Sequence, residues 1–164
     1  MILETERLFL REMTWEDYPA ICEILQDEKT MYAYEHAFSD EEAKAWISRQ
    51  MERYEKEGIG LWAVVLKETG KVIGQCGLTW QPVPEPYSAS GMALENGHLF
   101  NRRYRQRGYA LEPAPACKTY ALEELKQPQH CSIIRHNTTA SNHVSDPNGP
   151  KPAGSLLQHH QGKE

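Results

Sequence analysis

The chain has 164 residues, 40% of them hydrophobic and 25% charged, which fits one folded domain with an apolar core of useful size. A net charge of −5 and a pI near 5.8 exclude nucleic acid as the main partner, because phosphate recognition needs a basic face. No apolar run approaches the roughly 20 residues of a membrane-spanning helix, and Met1–Glu6 lacks the basic flank and apolar stretch of a secretory signal. A cytoplasmic protein with no membrane partner is therefore expected.

In chain order, Arg7-Leu8-Phe9-Leu10-Arg11 reads as a first strand. Thr14-Trp15-Glu16-Asp17 has the form of a capping box, which predicts a helix with Tyr18, Ile21, Cys22 and Leu25 on its buried face. A second box, Ser39-Asp40-Glu41-Glu42, opens a longer helix. Ala43, Trp46, Ile47, Met51 and Tyr54 line one side of it, and Gly58 and Gly60 end it. Leu61–Leu66 is an apolar strand, Glu68–Lys71 a turn, and Val72–Thr79 its hairpin partner. Gln81–Pro86 carries three prolines and is expected to be a loop. Met92–Phe100 is the next strand.

Arg105-Gln106-Arg107-Gly108-Tyr109-Ala110 follows that strand and leads into a helical pattern reaching about Leu125, with Ala116, Cys117, Tyr120, Ala121 and Leu125 on one stripe. A strand, a loop bearing arginine and glycine, and a helix start can hold an anion, because the first amides of a helix lack partners and its dipole adds positive potential. Arg102, Arg103, Arg105 and Arg107 cluster there, which suits either a small polyanion or a solvated turn. Pro113 and Pro115 would each cost roughly 3 kcal/mol inside a regular helix, so the helix is expected to kink or to start late. Cys131–Arg135 is a strand, Ala140 to about Ser145 a short helix, and Lys151–Gln158 a possible last strand. The order implies an α/β (mixed α+β) fold with a mixed sheet and helices on both faces. Cys22, Cys76, Cys117 and Cys131 are widely spaced in apolar segments and read as reduced, buried thiols. No pair of histidines, including His159-His160, has metal-ligand spacing, so no metal is expected.

The spacing R-x-x-G-x-A resembles the pyrophosphate loop of the GNAT family, the acetyl-CoA-dependent N-acetyltransferases. Thr5-Glu6-Arg7-Leu8-Phe9-Leu10-Arg11 with Asp17 resembles the opening of the branch that acetylates ribosomal-protein N-termini (RimJ/RimL-type). Gly74-Gln75-Cys76-Gly77-Leu78 resembles its third strand. Glu95-x-Gly97-x-Leu99-Phe100, then Gly108-Tyr109-Ala110-x-Glu112, resembles its fourth strand and cofactor loop, and Asn148-Gly149 the close of its last helix. The likeness covers nearly the whole chain. It implies a single N-acetyltransferase domain over 1–164, with a mixed, mostly antiparallel central sheet and helices on both faces. It also implies a further strand beside the last one, which the sequence up to Glu164 does not supply.

The resemblance implies acetyl-CoA as cosubstrate and an amine as acceptor, with direct attack and no covalent enzyme intermediate. Pantetheine would pair with the fourth strand at His98, Leu99 and Phe100, and Arg105, Gln106, Arg107, Gly108, Tyr109 and Ala110 would hold the pyrophosphate. Glu95 is the candidate base; its other reading is a carboxylate on the sheet face. His98, with an unperturbed pKa of about 6.5, stands where the family often has an aromatic ring and is expected to pack rather than catalyse. Ser141 matches a serine near the reacting sulfur, and a helix-start serine would look the same. Asn137 sits one residue before the family's asparagine place, which Thr138 holds. Ser145 stands where many members carry a tyrosine acid. Two other functions stay open: a module that holds acyl-CoA without turnover, and a structural or dimerising domain with no ligand. The oligomer is expected to be a monomer or homodimer.

Overall fold

The computed structural model describes residues 1–32, 34, 36–83, 90–127, 129–133 and 157–161. The strands are β1 (Leu3–Glu4), β2 (Leu8–Arg11), β3 (Leu61–Leu66), β4 (Lys71–Pro82), β5 (Met92–Phe100), β6 (Gln129–Ile133) and β7 (Leu157–Gln161). They form one sheet in the order β1-β2-β3-β4-β5-β6-β7. Every neighbouring pair is antiparallel except β5–β6, which is parallel. The fold is thus the mixed, mostly antiparallel architecture expected, with β7 at the outer edge. The short helix expected from Ala140 lies outside the described residues.

Helices α1 (Tyr18–Leu25) and α2 (Asp40–Glu57) cover one face of the sheet, and α3 (Pro113–Glu123) covers the other. Two adjacent residues of β4 fix this. The Trp46 indole of α2 donates to the Gln75 side-chain oxygen at 2.9 Å, while the Cys76 sulfur lies 3.8 Å from Cys117 of α3. Successive side chains on a strand point to opposite faces, so the two helices cannot share one. Fully buried Trp62 sets its ring edge to face against Tyr120, 5.6 Å away, and closes the α3 side. Among the described residues no helix is long and apolar enough to cross a membrane.

The capping signals act as their chemistry dictates. The Glu42 amide donates to the Ser39 hydroxyl at 3.2 Å, and the Ser39 amide donates back to the Glu42 carboxylate at 3.2 Å. At the first box the Thr14 amide donates to Asp17 at 2.9 Å, and one 3-10 turn, Trp15–Asp17, precedes α1. Asp17 is also held by both terminal nitrogens of Arg11, at 2.7 and 2.8 Å.

Two expectations are corrected. Gln81 and Pro82 belong to β4 and not to the loop, opposite Ala93 and Met92. Proline fits there because position 82 falls in a non-hydrogen-bonded pair with Met92, and β3 begins only opposite Gly77. The third helix does not run from Gly108. A 3-10 turn, Tyr109–Leu111, intervenes, and α3 starts at Pro113 itself. Both prolines then lie in the first turn, where amide donors have no helical acceptor, so the expected penalty disappears.

Candidate active site

Strand β5 is the spine of the site. The Asn101 amide donates to the Ile73 carbonyl and the Val83 amide to the Gly91 carbonyl, each at 2.9 Å. Both mark hydrogen-bonded pairs of the β4–β5 ladder, and such pairs alternate. Odd-numbered residues from Ala93 to Leu99 therefore turn their backbone groups toward β4. Those of Leu94, Asn96, His98 and Phe100 turn toward β6.

β6 pairs β5 only at Leu94 and Glu95, among the described residues. Continuing the register would set Asn96 against Ser132 and Gly97 against Ile133, yet those two stay with β7. Among the described residues the bridge pairing of β5 with β6 ends at Glu95. The Glu95–Cys131 bridge uses the Asn96 amide, which leaves the amides of His98 and Phe100 turned to that side without a described strand partner. Leu99 does not fit the expected pairing role, since its backbone groups are spent on Gln75 of β4.

Glu95 is the last β5 residue bridged to β6. It shares a sheet face with Gln75 and Thr79, the face covered by α1 and α2. The Thr79 hydroxyl donates to its carboxylate at 3.4 Å, and the Gln81 amide donates to Thr79 at 3.1 Å. His98 and Phe100 lie on the α3 face with Cys76. Burial pushes the His98 imidazole down to about 4, and Arg105 acts in the same direction. His98 is thus neutral at physiological pH, consistent with packing.

The sign of its effect on stability follows. Unfolded histidine titrates near 6.5, above the folded value. Stability is full above 6.5 and is lost as pH falls toward about 4, by up to ~3 kcal/mol. Urea midpoints of wild type and His98→Phe between pH 7 and 5 check this: the variant should lose most of the pH slope, and equal slopes would remove His98 as its source.

The loop after β5 begins at Asn101, which accepts from the Arg103 amide at 3.0 Å and donates to Glu23 of α1 at 3.0 Å. The arginine cluster divides. Arg102 pairs with Asp27 at 3.1 Å, and half-buried Arg105 donates back to the Phe100 carbonyl at 3.3 Å. Arg103 and Arg107 are exposed, with Arg107 5.9 Å from the Tyr104 ring centre. Gln106 and Gly108 both adopt left-handed backbone, at φ 61° and 74°. Left-handed Gly108 followed directly by a helical turn orients successive amides to one side, an arrangement suited to anions. Ala110 is part of that turn.

The sequence reading missed a network beneath this loop. Glu112 accepts from the Thr5 hydroxyl at 2.7 Å, the Arg7 amide at 3.1 Å and the Arg7 guanidinium. Arg7 also donates to the Arg107 carbonyl at 3.0 Å and stacks 4.5 Å over the Tyr109 ring. Burial alone would push the Glu112 carboxyl up, but the bonds from Thr5 and Arg7 outweigh it and hold the group below the usual range. Both halves of the network lay in motifs named from the sequence; their contact, across 105 positions, left no local signal. Asn137 and Ser141, expected near the cofactor, lie outside the described residues, as do Thr138 and Ser145.

The GNAT acetyltransferase domain model matches residues 7–150. The N-acetyltransferase YnaD of Bacillus subtilis (strain 168) is 30% identical over 127 residues, covering 76% of this chain and 68% of that protein. An acetyltransferase structure from Agrobacterium tumefaciens C58 has a TM-score of 0.76 at 27% identity, covering 97% of this chain and 94% of its own. A structure of RimL, the ribosomal L7/L12 alpha-N-protein acetyltransferase, in complex with coenzyme A has a TM-score of 0.68 at 15% identity, over 87% and 79% of the two chains. The chain belongs to the GNAT family of acetyltransferases. It is an acetyl-CoA-dependent acetyltransferase.

Proposed function

We propose that residues 1–164 form one N-acetyltransferase domain of the RimJ/RimL-type branch, which transfers acetyl from acetyl-CoA to a primary amine by direct attack in a ternary complex. The acceptor is a protein N-terminus or a small amine. The observation that carries this is the end of β5–β6 pairing at Glu95 among the described residues, with the amides of His98 and Phe100 turned toward that side beyond it. Such amides suit the pantetheine arm of the cosubstrate. The RimL neighbour was solved with coenzyme A, which supports the same cosubstrate here.

The roles follow from position. Glu95 takes the proton of the acceptor ammonium, directly or through one water, so that a neutral amine reaches the thioester carbon. A β5 amide turned to that side, that of His98 or Phe100, donates to the oxygen that becomes negative. The nitrogen of the tetrahedral intermediate gives its extra proton to water, and the departing thiolate takes a proton from water. The loop from Arg105 to Ala110 receives the diphosphate and fixes the thioester against Glu95, so orientation supplies much of the rate. The prolines at 113 and 115 lend no support to an inactive acyl-CoA-binding module, because α3 begins at them.

Free thiol should appear when the protein meets acetyl-CoA together with amines and N-terminal peptides, and only with an acceptor present. Binding of coenzyme A by calorimetry without turnover on any acceptor would establish the binding module instead. No binding heat at all would overturn both readings.

A further inference from the structure

We infer that Arg7 and Glu112 are positioning residues of the anion loop, with Thr5 as their support. The inference rests on the reading of that loop as the diphosphate site and adds the device that gives it its shape. Glu112 is the last residue before α3, and the Arg107 carbonyl lies five positions earlier in the loop. Arg7, just before β2, holds both. It therefore fixes the loop at two points from outside.

The geometry decides which side of the loop meets the ligand. A peptide bond is trans, so the Arg107 carbonyl and the Gly108 amide point in opposite directions. With that carbonyl drawn onto Arg7, the Gly108 amide points away from Arg7. A second consequence is electrostatic. Carbonyl oxygens and a carboxylate beside an anion site repel the ligand. Here the oxygens of Arg107 and Glu112 are both occupied by Arg7 and Thr5, and the Glu112 side chain is only 17% exposed. The Arg7 guanidinium lies on the side-chain side of Gly108, with Nη2 3.5 Å from where a Cβ would stand. It also covers the Tyr109 ring, so the turn that follows Gly108 is backed by the same group. A planar fork is needed for these contacts; a lysine could replace the charge but not the pattern.

Turnover with two thioesters tests this in the full chain: acetyl-CoA, and acetyl-pantetheine, which lacks the diphosphate. Arg7→Lys and Glu112→Gln should raise the KM for acetyl-CoA about tenfold, with kcat within about twofold and acetyl-pantetheine kinetics unchanged. Thr5→Val should act in the same sense more weakly, and it provides the reading if a stronger variant does not fold. The ratio of the two specificities does not depend on how much protein is folded. A role confined to stability would lower melting temperature and leave that ratio at the wild-type value, and this overturns the inference. Gly108→Ala separates the two levels. If it removes the preference for acetyl-CoA while the Arg7, Glu112 and Thr5 variants keep it, the diphosphate site stands and the positioning role falls. If Gly108→Ala also keeps the preference, the loop reading itself fails.

Discussion

Glu95→Gln is expected to lower kcat by about 10²–10⁴-fold at neutral pH, the usual contribution of a positioned base, with the KM for acetyl-CoA little changed. Glutamine keeps the size of the side chain and can still accept from Thr79, so the site should keep its shape. What it loses is the ability to take a proton from an ammonium ion. No described neighbour replaces it. His98 is held near a pKa of about 4 by burial, which makes it a poor base at pH 7, and it lies on the other face of the sheet. The cost should shrink for acceptors whose amines are already neutral at the assay pH, since those need no base. Steady-state kinetics with amines of graded basicity read this directly. Equal turnover by the variant and the wild type on a strongly basic amine would remove Glu95 from the mechanism.

Local chemistry made much of the fold legible. Capping boxes at Thr14 and Ser39, the glycines after Tyr54 and the apolar run from Leu61 each act within a few residues, and each appears where the sequence places it. Proline was the poorer guide, because its effect depends on tertiary register. Pro82 is harmless at a strand end beyond β3, and Pro113 is harmless because the helix begins at it. The site divides in the same way. Short motifs were enough to propose Glu95 and the Arg105–Ala110 loop. The Arg7–Glu112 network was not, since nothing local links the start of β2 to the start of α3. Nor could sequence assign Leu99 to β4 and its neighbours to the β6 side, which depends on the alternation of the ladder.

Gly77→Ala should be the most damaging small substitution on the sheet. An alanine Cβ there would stand 2.0 Å from the Gly60 carbonyl oxygen and 2.9 Å from the Leu61 Cα, both backbone atoms that no rotamer change can move. The contact exists because the chain leaves α2, crosses β4 and enters β3 within a few residues, and the Leu78 amide donates to that same Gly60 carbonyl at 3.2 Å. Relieving the clash means breaking this bond and lifting the crossing off the sheet. A cost above about 4–5 kcal/mol is expected, a large part of a typical domain's stability. Gly97→Ala is the matched control on β5: its Cβ would meet only the tip of Leu61 at 3.4 Å, so a small shift should suffice. Thermal melts of the two variants should differ widely, and a Gly77→Ala protein melting with wild type would mean the crossing is looser than the contact distances require.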